Sequence, residues 1–351
     1  MTPRCIHFGV CGGCILQNLD ETRYQAHKRE VIVRALTKRR LNADVADVVS
    51  VPPATRRRAV FKIAKRQGAT ELGFHALKSH IIVDMHECLV LTSPLVGLAA
   101  GLRTLLNDVL ANGQNAEAHV TEANNGIDIA FRSNVQMKPA IAAAFGAWAP
   151  QSGTIRVTWN GALAFERAVP TVRFGAADVK LPPHSFLQPT AAGEAALVAR
   201  ILSAMAGAKS IVDLFAGCGT FALSLAKYAR VHAVEKEEAM LAALLAAARA
   251  TPGLKPITAA KRDLFKVPLN ASELARFDAV TLDPPRAGAE KQVMQLAKSK
   301  VERIAYVSCN AESFARDARI LVDGGYGMGT VTPVDQFLWS EHIELVAAFA
   351  R

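Results

Sequence analysis

Long apolar runs are missing from this chain of 351 residues. No stretch reaches the 18 consecutive apolar residues or so that a membrane-spanning helix requires. The first residues, MTPRCIHFG, lack the apolar middle of a signal peptide, so the expected location is cytoplasmic. Internal repeats and low-complexity tracts are also lacking, which excludes a solenoid or a long disordered tail. Only one Cys-x2-Cys pair occurs, where structural zinc sites more often show two.

What is present fits a soluble protein with two cores. Apolar residues make up 51% and charged residues 21%, ample for burial in two domains. The net charge is +10, and it is uneven: residues 1–100 hold 15 Lys and Arg against 8 Asp and Glu. The segment TRRRAVFKIAKRQ alone carries Arg56, Arg57, Arg58, Lys62, Lys65 and Arg66. Basic clusters with interleaved apolar residues suit a phosphate backbone, so RNA is the expected partner. A solvated basic face without a partner is the plainer reading of the same residues.

Along the chain, residues 18–41 show apolar positions at three- and four-residue steps, a helix that can pack on a catalytic domain. Short β-like runs follow over residues 45–185, with a helix over 94–112. From 186 onward the pattern becomes strand–helix alternation, with buried strands SIVDLF, VHAVE, DAVTLD and RIAYVS and helices over 190–206, 220–229 and 236–250. The expected fold is α/β: an N-terminal α+β domain over 1–185 and a C-terminal doubly wound, Rossmann-like domain over 186–351.

Four motifs carry chemistry. In SIVDLFAGCGTFALSLA a strand runs through Gly217 and Gly219 into a helix, and Glu235 ends the next strand, placed for ribose hydroxyls. The same spacing serves NAD and S-adenosylmethionine, so the motif alone specifies only a nucleoside cofactor. In LDPPRAG, Asp283 ends a strand before two prolines, a rigid turn aimed at the ligand crevice. In YVSCNAESFARD, Cys309 separates a strand from a helix, whose dipole and free amides favour the thiolate. In SEHIELVAAF, Glu344 is the one acid in an apolar strand, so it lies on an exposed edge or in a site.

Together these parts define a reaction. Carbon 5 of uracil is too weak a nucleophile to take a methyl group from a sulfonium. A thiolate adding to carbon 6 makes carbon 5 enolate-like; after methylation a base removes the carbon-5 proton and the sulfur leaves. The base must be single-stranded or flipped out. Cys309 reads as nucleophile and Glu344 as base.

At these residues the sequence resembles the bacterial RNA 5-methyluridine methyltransferases, the TrmA/RlmC/RlmD family. DLFAGCGTF, LDPPRAG, YVSCNAESFARD and HIELV match its motifs in order, SFLQPT resembles its Phe-x-Gln segment, and the resemblance runs from residue 5 to the end. It implies Cys309 as nucleophile, Glu344 as base, Gln188, Phe215, Glu235 and Asp283 lining the S-adenosylmethionine pocket, and Asp263 beside the adenine. Thr190 and Thr220 stand where the family often has Asn, and LWSEHIE lacks the usual Pro/Thr lead-in. The small N-terminal barrel of many relatives is missing here, so either this is the shorter family type or the true start lies upstream; its absence leans towards ribosomal RNA, although transfer-RNA enzymes can also lack one. A monomer is the default.

The remaining cysteines read as metal ligands rather than disulfides in a cytosolic chain. Cys5, Cys11, Cys14 and Cys88 give C-x5-C-x2-C-x73-C, an uneven spacing suited to an iron–sulfur cluster. A redox Cys11–Cys14 pair would leave Cys5 and Cys88 unexplained. The resemblance likewise implies a [4Fe-4S] cluster here. Cys218 reads as a small filler. Two other readings stay open: an RNA cytidine carbon-5 methyltransferase, which typically has a second cysteine where Pro285 stands, and a non-catalytic iron–sulfur RNA-binding protein.

Overall fold

The structure is a computed structural model that describes residues 4–351. Its largest sheet has nine strands, running Val49–Ser50, Thr332–Asp335, Glu344–Ala350, Arg303–Ser308, Ala279–Leu282, Ser210–Leu214, Arg230–Glu235 and Ile257–Lys261, with Gly327–Met328 beside Glu344–Ala350. Strands 210–214, 230–235, 257–261, 279–282 and 303–308 are parallel; Glu344–Ala350 enters antiparallel between Arg303–Ser308 and Thr332–Asp335. The order reverses at Ser210–Leu214, whose two neighbours are reached by opposite crossovers. This places the ligand crevice at the carboxyl ends of the central strands.

Side-chain alternation divides the sheet's residues between two helical layers. Ile304 and Tyr306 face the layer holding Val293, Leu296 and Phe314, while Ala305 and Val307 face the layer holding Leu197, Leu223 and Leu244. The helix Glu21–Lys38 joins the first layer through Ile32, Ala35 and Leu36, starting at an Asp20 cap that accepts from the Arg23 amide. The strands from Arg58–Arg66 to Ala162–Glu166 form a separate seven-stranded sheet, which shares with the helix Ser93–Val109 its own core around Phe61, Phe131, Phe145 and Trp159. A hairpin, Thr171–Phe174 with Ala177–Lys180, packs against the catalytic layer. Among the described residues no helix is long and apolar enough to cross a membrane.

The contribution of Val49–Ser50 to the large sheet is the feature that the sequence pattern did not carry. These two residues pair with Val334 and Asp335 across nearly the whole chain. The two-residue strand is too short to show a period, and its partner is chosen by tertiary packing.

Candidate active site

The crevice assembles from strand ends. Phe215 follows Ser210–Leu214, Glu235 ends Arg230–Glu235, Asp283 follows Ala279–Leu282 and Cys309 follows Arg303–Ser308. Because Glu344–Ala350 is antiparallel, its first residue lies at the same edge. The pairing of Ser308 with Leu345 makes Cys309 and Glu344 the next opposed positions in the register. Glu344 is 3% exposed, so it does not lie on a wet sheet edge.

The turn after Leu214 is built for close approach. Phe215 has φ +62°, a left-handed conformation that costs a non-glycine residue roughly 1–3 kcal/mol and persists where the surroundings enforce it. Gly219 has φ +96°, and a Cβ there would lie 2.8 Å from Leu244, so only glycine fits. The Glu235 carboxylate accepts from the Gly217 amide at 3.0 Å and from the Lys236 and Glu237 amides at 2.7 and 3.0 Å. Phe265 lies 5.5 Å from Phe215, ring to ring, and its amide donates to Asp263. Cys218 is buried and in contact with the Ser185 hydroxyl, with its thiol pushed up to about 11 chiefly by burial.

Asp283, Glu344 and Cys309 lie close enough together to influence one another's charge. The Asp283 carboxyl retains some access to the crevice although it is deeply enclosed; burial first, then Glu344 and Asp213, holds it well above the usual carboxylate range. Burial pushes Glu344 up to about 7, against a hydrogen bond from Gln336 that favours the ionised form. Cys309 differs from the sequence expectation in its electrostatics. Burial, then the neighbouring Glu344 and Asp283, push its thiol up to about 11, with Arg286 opposing. Two of the first amides of the helix Ala311–Asp323 are taken, because the Asn310 side chain accepts from the Glu312 and Ser313 amides.

Buried polar partners position these groups. Gln188 donates to Asp283 at 3.0 Å and accepts from Gln336 at 2.7 Å, while Gln336 also donates to Glu344 at 3.0 Å. The Asp-Pro-Pro-Arg turn is held by Asp317, which accepts from the Ala289 amide and from the Tyr306 hydroxyl, both at 2.6 Å. A Cβ at Gly288 would meet Asp317 at 2.6 Å, hence the glycine.

The basic cluster is largely spent inside the protein, a correction to its reading as a free phosphate-binding strip. Arg57 donates to the Gln188 carbonyl and pairs with Glu194 at 2.7 Å; Arg58 donates to the Leu187 carbonyl at 2.8 Å; Lys62 pairs with Glu117. These contacts fix the segment that carries Gln188, because a strand of the N-terminal sheet begins beside it. Spacing cannot show this, since every partner is distant in sequence.

Sequence reasoning also missed Lys28, Asp335 and Gln336. Lys28 is fully buried, donates to Asp335 at 2.8 Å and reaches the carbonyls of Phe337 and His342. Tyr24 donates to the same carboxylate and accepts from the Trp339 amide at 2.7 Å. The helix thereby clamps the loop 335–342 that leads to Glu344. The signal was present: Lys28 sits four residues after Tyr24 and four before Ile32, on the apolar stripe. Lys28→Met is expected to cost roughly 3–5 kcal/mol, because it strands Asp335 as a buried, unpaired charge; urea denaturation measures it.

Cys5, Cys11, Cys14 and Cys88 line one cavity together with His7 and Glu87. Among the described residues no three His, Cys, Asp or Glu side chains converge on the position of a single metal ion. A polynuclear cluster spreads its thiolate ligands further apart than one ion does, and this four-thiol wall fits that donor set. Cys14 is pushed up to about 12 by burial, then by Cys88, Cys11 and Cys5, a repulsion that a bound cationic centre would relieve. The same segment touches the active-site loop, where the Leu16 amide donates to the Trp339 carbonyl at 2.9 Å.

The strand order, the glycine turn and the acidic strand ends define a methyltransferase of the S-adenosylmethionine-dependent, doubly wound class. Over 96% of this chain the fold superposes, with TM-score 0.74 and 23% identity, on 86% of a Pyrococcus abyssi tRNA (uracil-54, C5)-methyltransferase solved with S-adenosyl-L-homocysteine. The tRNA (uracil-5-)-methyltransferase family model matches residues 176–350. An uncharacterised RNA methyltransferase of Rhizobium meliloti (strain 1021) is 41% identical over 99% of this chain and 86% of its own length. The 23S rRNA (uracil(1939)-C(5))-methyltransferase RlmD of Marinomonas (strain MWYL1) is 31% identical over 97% of this chain and 79% of its own. The chain belongs to the RNA (uracil-5-)-methyltransferase family, and it is an S-adenosylmethionine-dependent enzyme acting on RNA.

Proposed function

We propose that the enzyme methylates carbon 5 of a uridine in ribosomal RNA through a covalent bond from Cys309 to the ring. The observation that carries this reading is the register that opposes Cys309 and Glu344 beside the Gln188–Asp283 pair. Gln188, Phe215, Glu235 and Asp283 would hold S-adenosylmethionine, which supplies an electrophilic methyl group. Cys309 adds as the thiolate to carbon 6 of the uracil, its thiol proton passing to solvent, and gives carbon 5 carbanion character; once carbon 5 carries the methyl group, Glu344 takes the carbon-5 proton and the C–S bond breaks, the sulfur leaving as thiolate and the ring double bond re-forming. A buried carboxyl near 7 is suited to this proton transfer. The preference for ribosomal RNA is supported by the RlmD relative, 31% identical.

The RNA path we assign is the groove of about 570 Å³ lined by Cys11, Cys14, Arg56, His75, Lys78 and Leu338. It joins the cysteine segment to the catalytic loop, and Phe186, 53% exposed under the Arg58 guanidinium at 4.7 Å, offers a stacking face nearby. Ribosomal and transfer RNA from a strain deleted for this gene, incubated separately with enzyme and labelled cofactor, test the reading. 5-Methyluridine formed in ribosomal RNA supports it; formation only in transfer RNA, or of 5-methylcytidine, overturns it.

Cys5, Cys11, Cys14 and Cys88 would hold a [4Fe-4S] cluster with a structural task, clamping residues 4–16 to the strand region near Cys88 and to Trp339. Anaerobically purified protein is expected to carry iron and acid-labile sulfide in equal amounts, and Cys88→Ser to lose both together. Iron-free protein with zinc bound would contradict the assignment.

A further inference from the structure

We propose that Gln336 is the positioning residue for the base: its side-chain amide holds the Glu344 carboxylate at the catalytic edge and links it through Gln188 to Asp283. The inference rests on the reading of Glu344 as base. Gln336 is 1% exposed and directly follows the buried strand Thr332–Asp335, whose last residue is locked by Lys28 and Tyr24. Its backbone therefore has little freedom, and its side chain faces three fixed neighbours.

The amide orientation is determined by those neighbours. Both hydrogens of Nε2 are used, one on Gln188 Oε1 at 2.7 Å and one on Glu344 Oε2 at 3.0 Å. Rotating the amide by 180° would place its oxygen against an amide oxygen and a carboxylate oxygen at once, two repulsive acceptor pairs. The remaining atom, Gln336 Oε1, is buried with no hydrogen-bond partner among the described residues. Leaving a buried carbonyl unsatisfied is unfavourable, so the orientation is maintained by its two donor bonds alone. The wall behind it is the first turn of the helix Ala191–Ala204. A Cβ at Gly193 would lie 2.6 Å from Gln336 Oε1, so glycine is the residue that gives this amide its space.

The chain Asp283, Gln188, Gln336, Glu344 thus diverges from Gln336, with each glutamine donating toward an acid. The titratable and charged groups around Glu344 are Asp283 with Asp213 behind it, Cys309, and Arg286 on the proline turn. Burial disfavours a negative charge on Glu344, and the Gln336 donor is the contact that favours it. Removing that donor must raise the pH at which the base ionises. The acid limb of the turnover profile should then move upward, whereas a structural defect would lower turnover at every pH alike.

The test uses the full-length enzyme, ribosomal RNA from a gene-deleted strain, and turnover measured from pH 6 to pH 9. Gln336→Met keeps the volume and removes the donor. We expect its acid limb to rise by about one pH unit, which gives about tenfold lower turnover at pH 6.5 with recovery toward pH 9, and a larger fraction of enzyme trapped as RNA adduct on denaturing gels at low pH. Gly193→Ala presses on the same amide from the helix side and should shift the limb in the same direction; it serves if the methionine variant does not fold. An unmoved limb in the folded variants overturns the role of Gln336. If Glu344→Gln itself turns over normally, the base assignment fails instead, so the two failures are distinguishable.

Discussion

Cys309→Ala is expected to reduce 5-methyluridine formation by on the order of 10⁴-fold or more, leaving the fold intact. The size follows from chemistry rather than from binding. Without sulfur on carbon 6, carbon 5 of uracil has no carbanion character, and no residue at this crevice edge can substitute for it. Removing the nucleophile of a covalent mechanism abolishes the pathway instead of weakening one interaction in it. Cys309 is partly exposed at the junction of Arg303–Ser308 and Ala311–Asp323, and the Asn310 cap that starts the helix remains. The melting temperature should therefore change little. Incorporation of labelled methyl into RNA measures the effect; activity within tenfold of wild type would remove Cys309 from the mechanism.

Glu344→Gln should stall the enzyme after methyl transfer. The amide occupies the same space and retains contact with Gln336, but it cannot accept the carbon-5 proton. Losses of 10²- to 10⁴-fold are typical for a positioned base, and here the intermediate has no other exit, so a covalent enzyme–RNA adduct should accumulate. Denaturing gels measure it directly. The pH dependence has a definite sign. Glu344 is pushed from 4.5 to about 7 by burial, so the folded chain keeps a proton that the unfolded chain releases between those values. Its contribution to stability is present at low pH and falls as pH rises toward 7, while the ionised fraction available for catalysis rises. At pH 8 the glutamine variant should unfold at a higher temperature than wild type. A variant that is more stable, inactive and adduct-bound cannot be explained by misfolding.

The sequence revealed those parts of the site whose signal is local. Strand-end motifs placed Phe215, Glu235, Asp283 and Cys309 in one crevice because parallel strands all end there. The helices expected over 190–206 and 236–250 occur as Ala191–Ala204 and Glu238–Ala250, since long apolar stripes are well marked. The helix expected over 220–229 is only Ala222–Leu225, as the packed alanines continue in turns. What was not legible is long-range pairing. Lys28, Arg57 and Arg58 act through partners more than a hundred residues away, as does Gln336 in its bond to Gln188. Polar residues of that kind have no period, and their role appears only when the partner is in place. The thiol of Cys309 makes the same point. Its position was readable, but its electrostatics depend on two acids brought in by other strands.

The bond between Cys309 sulfur and carbon 6 is most directly tested with an RNA carrying 5-fluorouridine at the target position. Fluorine at carbon 5 cannot leave as a proton, so the methylated adduct cannot break down. Mass spectrometry of the digested complex should find the methylated fluorouridine attached to the peptide containing Cys309. Methylated or unmethylated RNA recovered free of protein, or an adduct on any other residue, would contradict the mechanism.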